Sequence, residues 1–159
     1  MTGKSGVAQR SLRTTVGLLR VTADDKGIIA IDRITKPTTR AGSANADHHA
    51  EQAISELREY FAGKRRRFEV ALHLEGTDFQ ERAWAAMRKI PYGATISYAT
   101  QARRIGKPRA TRAVGTANGA NPIPIIVPCH RVIASDGSLG GYALGLAMKR
   151  RLLALEGAD

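Results

Sequence analysis

The sequence holds a single thiol, and its setting invites chemistry. Cys129 stands in Pro128-Cys129-His130-Arg131-Val132, directly behind the apolar run Pro124-Ile125-Ile126-Val127. A lone free cysteine is ordinarily an inert small hydrophobe. Here a proline fixes the backbone before it and an imidazole follows it, which are parts of an activated nucleophile. At pH 7 an unperturbed thiol is only ~3% thiolate, whereas one with a pKa near 6.5 is ~75% thiolate. Sequence neighbours seldom face each other in regular structure, so His130 is expected to reach Cys129 through a bridging water. Such a base needs a third group to orient it. Glu156 is a candidate, because a negative charge in the last turn of a helix opposes the dipole. The alternative is a solvated glutamate at a fraying end.

The elements that must position these groups can be read around them. The run 124–127 reads as a buried strand with the thiol at its end. Leu146, Met148 or Lys149, Leu152, Leu153 and Leu155 suggest a packed C-terminal helix stopped by Gly157. Upstream, Ser97 can cap a helix whose inner face is Ala99, Ala102 and Ile105; Gly106 ends it and Lys107-Pro108 turns the chain. A second helix from 109 to about 118 would turn Ala110, Ala113, Val114 and Ala117 inward, with Arg109 and Arg112 as neighbours along it. Two short helices around a Gly-containing turn, with arginines on the second, match DNA-binding helix pairs, although many helical hairpins share the pattern. The second helix is rich in Ala, Gly and Thr, with few long amides for reading base edges in a major groove. Small residues instead permit close approach to a narrow groove.

Before the helix pair, Thr77-Asp78-Phe79-Gln80 forms a capping box, followed by the stripe Phe79, Ala83, Met87 and Ile90 and the stop Pro91-Tyr92-Gly93. A domain boundary is placed near Gly76. In the N-terminal part, 1–15 reads as a disordered basic tail. Gly17–Ala23 and 27–31 read as a hairpin around Asp24-Asp25-Lys26. Residues 36–47 read as a polar loop. Ala53, Ile54, Leu57, Tyr60 and Phe61 define a helix from Ala50, stopped at Gly63. Phe68, Val70, Leu72 and Leu74 alternate as a half-buried strand. Lys64-Arg65-Arg66-Arg67 before it reads as a solvated turn, with DNA contact as the other reading. The expected fold is α+β: residues 1–75 a small sheet with a helix, residues 76–159 mostly helical with a helix-turn-helix.

Composition bounds the partners. Twenty-five Lys and Arg against 14 Asp and Glu leave 159 residues with a net charge of +11. That balance fits a polyanion, since Lys and Arg that neutralise phosphates release counterions; a merely basic soluble surface fits it equally. A single cysteine excludes an internal disulfide framework and any zinc site with two or more cysteines. No stretch is long and apolar enough for a bilayer, and the first residues lack the apolar core of a secretory signal. A reducing cytoplasm is expected.

Taken together, these segments resemble the O6-alkylguanine-DNA alkyltransferase family. The resemblance rests on Gly76-Thr77-Asp78-Phe79-Gln80, Trp84, Ile90-Pro91-Tyr92-Gly93, Ser97-Tyr98 and Arg112-Ala113-Val114-Gly115. It continues through Asn121-Pro122, Pro128-Cys129-His130-Arg131-Val132, Gly141-Tyr142 and Leu152-Leu153-Ala154-Leu155-Glu156-Gly157. It covers residue 76 to the end, and Tyr60-Phe61-Ala62-Gly63 matches in outline. The resemblance implies direct-reversal repair: a methyl or small alkyl group leaves O6 of guanine, or O4 of thymine, for Cys129, once per molecule. It implies His130 as base through water, Glu156 orienting it, and Asn121 bracing the turn before the thiol. Tyr98 would help protonate the leaving oxygen, and the backbone of Cys129 and Val132 would recognise the guanine amino edge. Tyr142, Ala143 and Leu144 would contact the flipped base. Arg112 would fill the vacated stack, while Lys107, Arg109, Thr111, Gly115 and Ser135 would touch DNA. No cofactor is needed for such a transfer, and no metal is expected: some relatives hold a structural zinc in the N-terminal part, a site that a single cysteine cannot build. The partner would be duplex DNA carrying alkylated guanine, bound by a monomer able to cluster on it, with nucleoid association in a prokaryote and no membrane.

One departure bears on specificity. Ala143-Leu144 follows Tyr142 where family members commonly have Ser or Gly and then Gly, so Leu144 is expected to narrow the pocket and disfavour benzylated guanine. Three other readings stay open: a helix-turn-helix regulator with Cys129 a buried spectator, a lesion sensor without transfer, and a cysteine hydrolase. The sensor reading is at odds with the thiol, and the hydrolase reading lacks an oxyanion loop.

Overall fold

A computed structural model describes residues 6–158. The chain divides into two compact units, one ending at Leu74 and the other starting at Glu75. In the first, β1 (Ala8–Thr14), β2 (Gly17–Ala23) and β3 (Ile28–Arg33) form an antiparallel sheet in that order. The first strand corrects the expected disordered tail over 1–15, of which residues 1–5 lie outside the described residues. Ala8 and Leu12 are buried on the strand, and Arg10 between them is paired with Asp47 and Glu51 at 3.3 and 3.2 Å. Arg10 is therefore partnered rather than solvated. Between β2 and β3 the Asp24 carboxylate accepts from the Lys26 and Gly27 amides at 2.9 and 3.1 Å. Gly27 permits a close approach, since a Cβ there would lie 2.6 Å from the Ala71 carbonyl oxygen.

Helix α1 (Ala44–Phe61) starts well before the expected Ala50, because Ser43 caps it by accepting from the Ala46 amide at 3.1 Å. Its buried stripe includes Ala46, Ala50, Ala53, Ile54, Leu57 and Tyr60, and it packs on β1 and β2. The loop is thus 34–43 rather than 36–47. The strand expected over 68–74 does not form. The Glu69 and Val70 amides donate to Glu56 Oε1 at 3.0 and 3.1 Å instead of to a ladder, and only Leu72 bridges to Ile28.

In the second unit, Thr77 and Gln80 complete the capping box of α2 (Asp78–Arg88), which buries Ala83, Trp84 and Met87. Ser97 caps α3 (Tyr98–Arg104) by accepting from the Thr100 amide at 3.0 Å. Helix α4 (Thr111–Gly119) starts past the expected Arg109 and buries Val114, Ala117 and Asn118; Ala113, expected to face inward, is exposed. Ala102, Ile105 and Val114 form the small core of this helix pair. Trp84 ties α2 to α4 by donating from Nε1 to the Ala117 carbonyl at 2.9 Å. Two short parallel strands, β4 (Ile96–Ser97) and β5 (Val132–Ile133), lie side by side, and α5 (Leu146–Glu156) ends at Gly157 in the left-handed conformation. Residues 124–127 are buried as expected, yet they are not a strand. Pro124 bridges to Val127 across a tight turn with Ile125 at φ 77. That conformation is strained for a β-branched residue and persists because the surrounding packing over-determines it. Among the described residues no helix is long and apolar enough to cross a membrane.

Candidate active site

The strained turn delivers the thiol. Asn121 Oδ1 accepts from the Ile123 amide at 2.9 Å, and its Nδ2 donates to the Val127 carbonyl at 2.8 Å and to Cys129 Sγ at 3.3 Å. One side chain therefore closes the turn and touches the sulfur that the turn presents. Cys129 opens a 3-10 turn with His130 and Arg131 and is 9% exposed. Burial pushes its pKa above the ordinary thiol value, opposed by the Asn121 hydrogen bond and by the positive charge of Lys149. The resting group is a thiol rather than the preformed thiolate a lowered pKa would give.

The 3-10 turn throws His130 and Arg131 inward onto α5. His130 Nε2 lies 2.7 Å from Glu156 Oε2, Arg131 Nε donates to Glu156 Oε1 at 2.8 Å, and Arg131 Nη2 donates to Oε2 at 3.0 Å. Arg131 Nη1 reaches the Ile90 carbonyl at 2.7 Å. The Glu156 side chain has no solvent exposure, so the solvated reading of that residue does not hold. A carboxylate opposite Nε2 calls for a proton on that nitrogen, which leaves Nδ1 with its lone pair. Nδ1 is buried without a hydrogen-bond partner among the described residues. Burial lowers the His130 pKa, outweighing the Glu156 contact that raises it, so the ring rests neutral.

Cys129 opens onto a cavity of about 350 Å³ whose walls include Tyr98, Thr111, Gly115, Asn118, Tyr142 and Ala143. One wall is thus α4. Tyr98 begins α3 and lies against Gly140, where a Cβ would stand 2.8 Å from its hydroxyl. Burial raises its pKa, against a backbone hydrogen bond at Gly141. The Tyr142 hydroxyl is buried beside the Cys129 sulfur, and burial followed by the nearby sulfur's charge raises its pKa strongly. Leu144 is half-buried and does not line the cavity; Ala143 does. The expected narrowing by Leu144 therefore has no basis in this arrangement.

Lys107, Arg109 and Arg112 are exposed on the turn and the start of α4, and Ser135 is exposed in the loop after β5. Val132 contributes its carbonyl to a group that sequence reasoning missed. Lys149 is fully buried on α5 and donates from Nζ to the carbonyls of Val132 at 2.7 Å, Gly141 at 3.0 Å and Leu139. Burial lowers its pKa to about 8. Its ammonium also lies 5.9 Å from the Tyr98 ring centroid. A lysine on the apolar stripe of a helix was the signal that could have found it. Arg131 was missed too, although a charge inside an otherwise apolar stretch marks a buried partner. Among the described residues no three His, Cys, Asp or Glu side chains cluster as metal ligands would.

Comparison with known proteins meets this site. Residues 78–158 match the family model described as 6-O-methylguanine DNA methyltransferase, DNA binding domain, and residues 8–74 match its ribonuclease-like domain. The chain is 43% identical over 153 residues to a methylated-DNA–protein-cysteine methyltransferase of Mycolicibacterium paratuberculosis, covering 94% of this chain and 92% of the relative. It is similar to the crystal structure of Mycobacterium tuberculosis O6-methylguanine methyltransferase, with a TM-score of 0.82 at 41% identity over 96% of this chain and 93% of that one. A second M. tuberculosis structure, OGT in complex with DNA, gives a TM-score of 0.84 at 43% identity over 94% and 92% of the two chains. The α+β fold expected from the sequence is that of these structures. On the thiol, the helix pair beside it and a likeness that spans nearly the whole chain, the protein belongs to the 6-O-methylguanine DNA methyltransferase family.

Proposed function

We propose that this protein repairs DNA by moving a methyl or small alkyl group from O6 of guanine onto Cys129. The observation that carries the reading is a buried thiol opening onto a cavity walled by α4, the second helix of the helix-turn-helix. A stacked base cannot offer its alkyl carbon to a sulfur in line, so the nucleotide leaves the stack and enters the cavity. That costs a few kcal/mol, offset in part by Arg112, exposed on α4, filling the gap in the duplex. Lys107, Arg109, Thr111, Gly115 and Ser135 contact the DNA around it. The small residues of α4 suit a narrow groove.

Sulfur attack then forms the C–S bond as the C–O6 bond breaks. Thiol and imidazole both rest neutral, so the Cys129 proton must leave as the reaction proceeds. His130 Nδ1 takes it through a water, while Glu156 holds Nε2 and disperses the imidazolium charge. Asn121 stabilises the developing thiolate from 3.3 Å. Tyr98 supplies a proton to the leaving guanine oxygen, and the backbone of Cys129 and Val132, with Tyr142 and Ala143, receives the base. The thioether is not hydrolysed, so each molecule acts once. Residues 76–159 carry this chemistry as one domain. Incubation with duplex DNA methyl-labelled at O6 of guanine tests the reading: label accumulates to one equivalent per protein and stops. Label that stays on DNA while the protein binds it would favour a non-transferring regulator.

A further inference from the structure

A buried pair of amides behind the cavity is not used by the transfer step. Gln101 on α3 is fully buried and Asn118 on α4 is 6% exposed. They exchange two hydrogen bonds, Gln101 Nε2 to Asn118 Oδ1 at 3.0 Å and Asn118 Nδ2 to Gln101 Oε1 at 2.8 Å. Gln101 Nε2 also donates to the Ala83 carbonyl of α2 at 3.0 Å. That third bond fixes which way both amides point. Turning Gln101 over would set its oxygen against a carbonyl oxygen, and Asn118 must follow Gln101 for the two bonds to form. Both Gln101 amide protons are thereby used. Asn118 spends one proton and one lone pair, and its second proton has no partner among the described residues. Asn118 lines the cavity onto which Cys129 opens. Asn118 is thus an oriented amide in the cavity wall, with one N–H that the pair does not use.

We propose that Asn118, held by Gln101 and the Ala83 carbonyl, is a specificity-determining residue that hydrogen-bonds a polar atom on the alkyl group of the lesion. The class of substrate is an O6-alkylguanine whose chain bears an oxygen beyond its first carbon, such as a 2-hydroxyethyl group. The first carbon meets the sulfur, the C–S bond forms as C–O6 breaks, His130 takes the thiol proton while Tyr98 protonates the guanine oxygen, and the terminal hydroxyl stays on the thioether. A methyl group offers no such atom, so Asn118 separates the two lesions. Gln101 acts through Asn118 and is a positioning residue.

The inference rests on the transfer reading above, and one set of assays separates their failures. Single-turnover rates are measured on duplexes carrying O6-methylguanine or O6-(2-hydroxyethyl)guanine, with the full chain, Asn118→Leu, Gln101→Leu and the double variant. The ratio of hydroxyethyl to methyl rates falls about tenfold in Asn118→Leu and several-fold in Gln101→Leu, and the double variant matches Asn118→Leu. The double variant replaces both buried amides by apolar groups, so it keeps a folded comparison if a single substitution unfolds the helix pair. A ratio unchanged within twofold in Asn118→Leu and the double variant, with both rates measurable, overturns the inference and leaves the transfer reading standing. No transfer from either lesion by the unaltered chain overturns both.

Discussion

Removing the Glu156 carboxylate tests the buried triad in two ways at once. Its side chain has no exposure and takes hydrogen bonds from His130 and twice from Arg131, at 2.7–3.0 Å. In Glu156→Ala the Arg131 guanidinium, itself nearly buried, loses its counter-charge and keeps only the Ile90 carbonyl. Breaking a buried pair from one side costs about 3–5 kcal/mol. In a domain of this size each kcal/mol moves the melting midpoint by about 4–8 °C, so a fall of at least about 12 °C is expected. Glu156→Gln keeps the shape and one acceptor oxygen, but removes the counter-charge of Arg131 and sets a donating NH2 where the second acceptor stood; about 2 kcal/mol is expected. Its second effect is chemical. Without a carboxylate opposite Nε2 the imidazole is free to carry its proton on Nδ1, the atom assigned to the base. Since general-base assistance contributes roughly 10²–10⁴ in rate, transfer by Glu156→Gln falls at least about tenfold. Circular dichroism melts give the first quantity; single-turnover methyl transfer well below the midpoint gives the second. A Glu156→Gln protein that melts within about 2 °C of the parent and transfers within twofold would refute the triad.

Three further outcomes are expected. Arg112→Ala slows repair of duplex DNA more than reaction with the free alkylated base; equal slowing, measured with both substrates, contradicts a role in filling the stack. Lys149→Met raises the Cys129 pKa further, because the Lys149 charge is among the influences that hold it down; the midpoint of a thiol-alkylation rate against pH, with a small haloacetamide, moves upward. The folded His130 pKa lies below its ordinary 6.5. Below that value the unfolded chain therefore takes up a proton the folded chain refuses, so stability falls as the pH drops from about 6.5 toward the folded pKa. The Asp24 carboxyl, also lowered, acts only below 3.8. Urea melts between pH 7 and 5 show this slope, and His130→Asn flattens it; an equal slope in the variant places the linkage elsewhere.

How much of this was legible beforehand follows from where the information resides. Local chemistry marked the Thr77 capping box, the Ser97 cap, the Gly157 stop and the lone thiol, because each depends on residues a turn apart. The run 124–127 was legible as buried but not as a turn. Asn121 bonds across the segment around the left-handed Ile125, which apolar composition does not reveal. Strand β1 was hidden by its charged residues, among them Arg10, whose partners Asp47 and Glu51 on α1 lie far along the chain. The segment 68–74 alternated like a strand, but Glu56 intercepted its amides. Lys149 and Arg131 were missed for a common reason: their partners are backbone carbonyls and a carboxylate brought in by the fold.

The most direct test is a peptide-resolved mass measurement after the full chain meets an oligonucleotide duplex containing O6-methylguanine. One added methyl group on the peptide holding Cys129, with unmodified guanine recovered in the DNA, is the expected result. A protein that engages the duplex, leaves the lesion intact and shows Cys129 unmodified would contradict alkyl transfer to this sulfur.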